Sequence, residues 1–386
     1  MNLVSKISQC WSSIQGTLFP FLEEELGPLS KKHQEVAAIL ELVRVEDHIV
    51  QYYMGAGRPP SDRVAIARSL VAKSLYKIGQ MDAWRDRLVC DVSLRRLCGF
   101  EKRCDIPSTS TFSRANAEFA TSSLASIAHE SCITHMYEDT IVGHISNDST
   151  AIVCREAIDP VRKKEMKAGA ENKKSKKKRG RPSKEEVREE VPEKRIARQV
   201  TMSRSELLED LPALCDVGTK RNSKGHTESW RGYKLHIAVA DGDIPISCIL
   251  TSASMHDSQA AIPLLAMTKE RVTNCYDLMD AAYDCDEIDN YSKSLEHVPL
   301  IDINPRRNKE LKQELAAESK RKKHLGIKYS HDYRYNERSS VERVNSYLKD
   351  SFSGRSIWVK GAKKVFSHLM FGILAMTGQR LLRFAT

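Results

Sequence analysis

Five side chains near the C-terminus, Tyr335, Arg338, Glu342, Asn345 and Lys349, bring together a phenol, a guanidinium, a carboxylate, an amide and an ammonium group. On a helix, at about 100° per residue, they fall within an arc of roughly 80°. Residues 335–349 contain no Gly or Pro, and Val341, Val344 and Leu348 recur at intervals of three and four. The stretch is therefore predicted to be one helix with an apolar face beside the polar one. A carboxylate set among phosphate-binding groups suits metal-dependent phosphoryl chemistry. The alternative is a plain surface ion pair between Arg338 and Glu342, which stand at i and i+4.

Such chemistry requires more oxygen ligands, and two aspartates stand in suitable places. Asp148 interrupts the β-branched run Ile141–Val153, which reads as a central strand. Aspartate is disfavoured there, so it marks either a bulge, a strand end or a ligand raised from a rigid sheet. Asp280 stands at the C-terminal end of a short strand at 275–280. If the two strands are neighbours, Asp148, Asp280 and Glu342 offer three oxygen ligands from separate elements, a set suited to Mg²⁺ or Mn²⁺. Two such ions about 4 Å apart activate a water or a 3′-hydroxyl and stabilise the leaving oxygen. Asp277, Asp284 and Asp302 compete for the role. Asp277 is an odd number of residues from Asp280 and faces the other side of the strand. Asp284 reads as a helix cap, and Asp302 has no identifiable partner.

Positioning these residues takes a sheet. Further strands are predicted at 231–240 and 244–251, joined by the turn Asp241-Gly242-Asp243, and at 298–305. An apolar-periodic helix at 259–268 follows His256, with Asp257 or Ser258 as its N-cap. An antiparallel start followed by β-α-β units gives an α/β fold, a mixed five-stranded sheet flanked by helices. A C-terminal helix at 360–383 has an apolar face for the core or a second subunit.

Residues 1–135 read as an all-α N-terminal domain, with helices at 33–53, 62–78 and 81–97 and another beginning at Pro107-Ser108. Arg95, Arg96, Lys102, Arg103 and Arg114 form either the exposed face of a helix-turn-helix-like DNA reader or the solvated face of a simple bundle. Residues 136–154 hold the first strand of the core, 155–215 are a basic insertion, and 216–386 complete the core. Between 155 and 200 there are 17 Lys and Arg against 9 Asp and Glu, with almost no large apolar residue, the composition of a disordered or solvated segment. Within it, Arg179-Gly180-Arg181-Pro182 resembles an AT-hook, whose arginines enter a narrow A·T-rich minor groove. A flexible loop that attracts phosphates without sequence preference is the alternative.

The net charge of +10 and pI near 9.0 point to an acidic partner, double-stranded DNA first. Ten cysteines without a CxxC or zinc-type spacing read as reduced thiols. No secretory signal pattern opens the chain, and the apolar run at 369–376 is too short to span a bilayer, so no membrane partner is expected. Trp230 and Trp358 serve either packing or stacking on an unpaired base.

The chain resembles an insertion-sequence transposase of the DDE class. The Tyr-(2)-Arg-(3)-Glu-(6)-Lys signature of that class is met by Tyr335, Arg338, Glu342 and Lys349. The strand contexts Ser146-Asn147-Asp148-Ser149-Thr150 and Asp280-Ala281-Ala282-Tyr283 match as well, and Gly232-Tyr233-Lys234-Leu235-His236 and His256-Asp257 look like further landmarks. The resemblance implies an RNase H-like core in which Asp148, Asp280 and Glu342 hold two Mg²⁺ or Mn²⁺ ions. It implies that Tyr335, Arg338 and Lys349 hold DNA phosphates, and that the enzyme cleaves at the terminal inverted repeats of its element and joins the 3′-OH ends to target DNA. It further implies a homodimer in the DNA complex and a cytoplasmic place, in the bacterial cytosol or nucleoid. A catalytically inactive, domesticated DNA-binding descendant is the competing expectation. Two departures stand out. Asp148 and Asp280 are 132 residues apart because of the basic insertion. Only about 30 residues separate the last strand from the signature helix, where some relatives carry a large β insertion.

Overall fold

The computed structural model of the chain describes residues 2–50, 60–158, 160, 163–164, 193–221 and 225–385. Arg179 and Arg181 lie outside the described residues.

The sheet is built around β1 (Ile141–Val153), which spans the whole β-branched run. The other strands are β2 (Asp216–Arg221), β3 (Thr227–Ala240), β4 (Ile244–Ser252), β5 (Thr273–Met279) and β6 (Val298–Ile301). Their order is β2-β3-β1-β5-β6, with β4 also paired to β3. β1 runs antiparallel to β3 and parallel to β5, and β5 runs parallel to β6. The sheet is mixed and flanked by helices in an RNase H-like arrangement, but it has six strands rather than five. The additional strand, β2, is polar and lacks apolar alternation, so periodicity did not reveal it. It pairs with the equally polar start of β3, from Thr227 to Gly232. Gly232 is obligatory at this crowded point: its φ is +146°, and a Cβ would lie 2.1 Å from the Ile152 carbonyl oxygen. The β3–β4 turn has positive φ at Gly242 and Asp243, the twist that a tight hairpin demands.

The N-terminal region is helical up to Tyr137, with boundaries set by caps. Asp62 caps the helix Arg63–Leu75, and Ser108 caps Thr109–Thr121. The helix predicted from 33 to 53 ends at Val43, where Arg44 turns left-handed. The one predicted from 81 to 97 is two helices, Met81–Cys90 and Val92–Leu97. Asp91 is extended between them and accepts from the Leu94 N–H. The anticipated basic face is smaller than the composition suggests. Arg95 is only 6% exposed and donates to the Leu88 and Val89 carbonyls, while Arg96 binds the Glu25 carbonyl oxygen and the Glu101 carboxylate. Lys102, Arg103 and Arg114 are exposed.

The end of the 155–215 segment is structured, which its composition did not suggest. Arg195–Gln199 and Arg204–Glu209 are short helices packed on Ala261–Arg271. Arg204 and Arg271 both grip Glu130, and Leu207 is buried. The C-terminal helix Ala362–Leu382 packs against five N-terminal helices and β4. One continuous apolar cluster runs from Leu3 through the sheet to Leu382. That helix is long and apolar enough to cross a membrane, yet most of it is buried in this core.

Candidate active site

The parallel register of β1 and β5 brings the two aspartates together. Ser146 pairs with Leu278, and Asp148 and Asp280 each lie two residues further on, so strand alternation puts both on the face that Ser146 and Leu278 share. The ladder ends at that pair, and just beyond it the two carboxylates remain near enough for the Asp280 charge to act on Asp148. Asp277 faces the opposite way, as its odd spacing predicts. It is fully buried and binds Asn274, Ser292 and His297. Asp280 is extended and caps its own turn, accepting from the Ala282 N–H at 2.9 Å.

The segment predicted as one helix over 335–349 is two: Ser330–Asn336 and Ser339–Ser351. The break falls at Glu337-Arg338. There the Glu337 carbonyl oxygen accepts from the Ser340 N–H at 2.9 Å, a bond one residue shorter than the α-helical one, and from the Ser146 hydroxyl on β1 at 3.1 Å. The second helix lies over the site face of β1. Val341, Val344 and Leu348 are fully buried beneath it, and Asn345 Nδ2 donates to Asp148 Oδ2 at 3.4 Å. Arg343 forks onto Asp243 at the β3–β4 turn, with Nη2 to Oδ1 at 2.7 Å, and so fixes the helix across the sheet.

Glu342 stands apart from the aspartate pair. Its side chain is 56% exposed and accepts from Arg338 Nη2 at 2.9 Å. Among the described residues, no three His, Cys, Asp or Glu side chains are grouped closely enough to hold a metal ion. Tyr335 does not stand free for a phosphate either, since its hydroxyl donates to Asp302 Oδ2 at 2.6 Å. Asp302 therefore does have a partner. Asp284 caps no helix but accepts from the Asn304 N–H at 2.8 Å, which pins the chain after β6. Arg338 lies over the Tyr335 ring at 5.7 Å. Lys349 is half-buried, and its ammonium is shifted down by burial and by the charges of Lys220 and Arg355. Lys220 and Arg355 are cations that no motif had singled out. Trp230 donates to the Tyr233 carbonyl and packs, whereas Trp358 is 46% exposed with the Arg155 guanidinium 3.7 Å from its ring centre.

The electrostatics favour a cation at the pair. Burial lifts the Asp148 carboxyl to about 7, and the charges of Asp280 and Asp257 add to the rise, against the Ser149 N–H and Arg338. Burial likewise raises Asp280, with Asp257 and Asp302 contributing. Among the described residues the buried Tyr283 hydroxyl has no hydrogen-bond partner, and it lies in the field of Asp257, Asp148 and Asp280. Hard oxygen donors with unbalanced negative charge beside an orphaned hydroxyl fit a hydrated divalent ion.

Asp257 is the residue at this site whose role the sequence concealed. It lies in a 3₁₀ turn, Asp257–Ala260, that is capped by His256, and the helix proper is Ala261–Arg271. Instead of capping, Asp257 accepts from Ser149 and Lys234. A lysine in the middle of β3 is the same anomaly as an aspartate in β1, and it was the available signal.

A mixed sheet bearing two neighbouring carboxylates, with a helix that carries a third acid above them, is a layout that two-metal phosphoryl-transfer chemistry can use. Comparison with known families agrees. Residues 213–377 match the Transposase DDE domain, and residues 22–118 match a Transposase domain, DUF772. Two stretches of the chain are thus similar to transposase domains, the second of the DDE type. The DDE match includes Asp280 and Glu342, whereas Asp148 precedes it, on the far side of the insertion. No curated protein and no solved structure matches the chain.

Proposed function

We propose that this chain is a DNA transposase that cleaves phosphodiesters at the terminal inverted repeats of its mobile element and joins the freed 3′-OH ends to target DNA. The observation that carries the reading is the alignment of Asp148 and Asp280 on adjacent parallel strands beneath the helix bearing Glu342. Asp148 and Asp280 hold the divalent ions from rigid backbone, and Glu342 completes the set from the helix above. Bound Mg²⁺ or Mn²⁺ supplies the charge that acidifies the attacking hydroxyl and stabilises the leaving oxygen. Arg338 offers a planar fork and Lys349 a point charge to DNA phosphates. Asn345 orients the Asp148 carboxylate. Two ends must be brought together, so the DNA complex is a homodimer, working in the bacterial cytosol or nucleoid. The helical region from 1 to 135 serves as the DNA-binding domain.

Arg338 is engaged in an ion pair with Glu342. A phosphate that takes over Arg338 leaves Glu342 to the metal. The same ion pair is the observation behind a second reading, a DNA-binding descendant without catalysis. Mg²⁺-dependent cleavage of DNA bearing the flanking inverted repeats decides between them. Wild type is expected to cut, and Glu342→Gln to lose at least 1,000-fold in rate, roughly the 4 kcal/mol of one essential interaction. A wild-type protein that binds these ends without cutting them supports the second reading, and equal cutting by both proteins removes Glu342 from the mechanism.

A further inference from the structure

Behind Asp148, on the other face of β1, Asp257 Oδ1 accepts from Ser149 Oγ at 2.7 Å and from Lys234 Nζ at 2.9 Å. Lys234 Nζ also donates to the Met255 carbonyl at 2.7 Å, which ties β3 to the loop that carries Asp257. Ser149 pairs with His236 and Ala151 with Lys234, so these side chains share the face that Asp148 does not. The turn Asp257–Ala260 packs against Ala281–Tyr283, the turn that Asp280 caps. The ladder between β1 and β5 ends at the Ser146–Leu278 pair, so at Asp148 the strand has lost its β5 neighbour. At that level the chain Ser149–Asp257–turn–turn links the Asp148 strand to the Asp280 turn.

We propose that Asp257, clamped by Lys234, is a positioning residue that sets the separation of Asp148 and Asp280 for a divalent cation. The inference rests on the metal-site reading above. Two strands meet at one carboxylate oxygen: Ser149 stands next to Asp148 in β1, and Lys234 ties β3 to the loop that carries Asp257. Burial pushes the Asp257 carboxyl up, but Lys234, His236 and the two hydrogen bonds outweigh it and keep the group below the usual carboxylate range. Asp257 therefore stays ionised, and its charge reinforces the pull of the pair on a cation. A supporting carboxylate of this kind is typically worth 10–100-fold in metal affinity.

Mn²⁺ binding to the full-length protein without DNA, followed by titration calorimetry, tests the proposal apart from turnover. Asp257→Asn and Lys234→Met are each expected to lower Mn²⁺ affinity about tenfold or more. Melting in EDTA and metal-free binding to inverted-repeat DNA should hardly change, and Lys234→Arg should recover most of the affinity. Wild-type Mn²⁺ affinity in Asp257→Asn overturns the proposal. So does a loss of affinity that merely follows a loss of thermal stability. If Asp257→Asn does not fold, Ser149→Ala, which removes only the tie to β1, decides by the same readout. Asp148→Asn is the control: if wild type binds no Mn²⁺ that this substitution abolishes, the metal-site reading itself falls, and the positioning role falls with it.

Discussion

Burial makes the charged form of Asp148 costly to hold. A carboxyl raised to about 7 in the folded chain takes up a proton more readily there than when unfolded. Its contribution therefore favours folding in acid and turns against folding as pH rises through the folded value. Metal-free Asp148→Asn should accordingly be more stable than wild type at pH 8, by on the order of 1–2 kcal/mol once solvent screening is discounted. The gap should close towards pH 5. Thermal unfolding in EDTA at the two pH values checks this, and a gap that is the same at both would show that the carboxylate is not strained. The substitution should still abolish cleavage, which separates a functional residue from a stabilising one. Lys234, Ser149 and Asp257 illustrate the complementary case, polar groups with satisfied partners that hold a neighbour in place.

Among the elements, the broken segment before Ser339–Ser351 and the C-terminal helix matter most. The break at Glu337-Arg338 lets Tyr335 reach Asp302 while Arg338 still meets Glu342. Ala362–Leu382 supports the far end of the acid-bearing helix. Gly372 lies so close to its neighbour that an added Cβ would be 2.8 Å from the Phe352 carbonyl oxygen, at the C-cap of Ser339–Ser351. Gly372→Ala gains about 1 kcal/mol of helix propensity, but the clash is with backbone and costs about 1–3 kcal/mol. Net destabilisation is expected in urea unfolding, and a stabilised variant would mean that the Phe352 carbonyl moves aside freely.

On the scale of the whole molecule, the helical region and the sheet share one apolar core, closed by Ala362–Leu382. Two imidazoles are sealed within it. His129 Nε2 meets the Pro245 carbonyl and His236 Nε2 meets Thr251 Oγ1, both rings being fully buried. Burial drives them down to about 3 and about 4, respectively. A histidine kept neutral by burial stabilises the fold above its ordinary range, and that stability is lost as pH falls below about 6.5. The sign is opposite to that of Asp148, and His368, driven down to about 4 by burial, adds to it; the Asp148→Asn background removes an opposing contribution. In that background, unfolding free energy should fall by on the order of 2–4 kcal/mol between pH 6.5 and 5. A flat profile would mean that the rings are protonated in place.

The sequence by itself determined the span of β1, the cap at Ser108 and the α/β class, because periodicity and capping are local. It also determined that Asp277 faces away, since strand alternation needs no partner. Only the tertiary structure decided the rest. A polar strand such as β2 forms because an edge of β3 is there to pair with it, and Arg95 is buried because carbonyls on the preceding helix receive it. The helix breaks at Glu337-Arg338 where a serine from another element meets its carbonyl. Asp257 carries a capping signature, yet its carboxylate goes to Lys234 and Ser149, which are remote in sequence and become neighbours only when β1 and β3 pair.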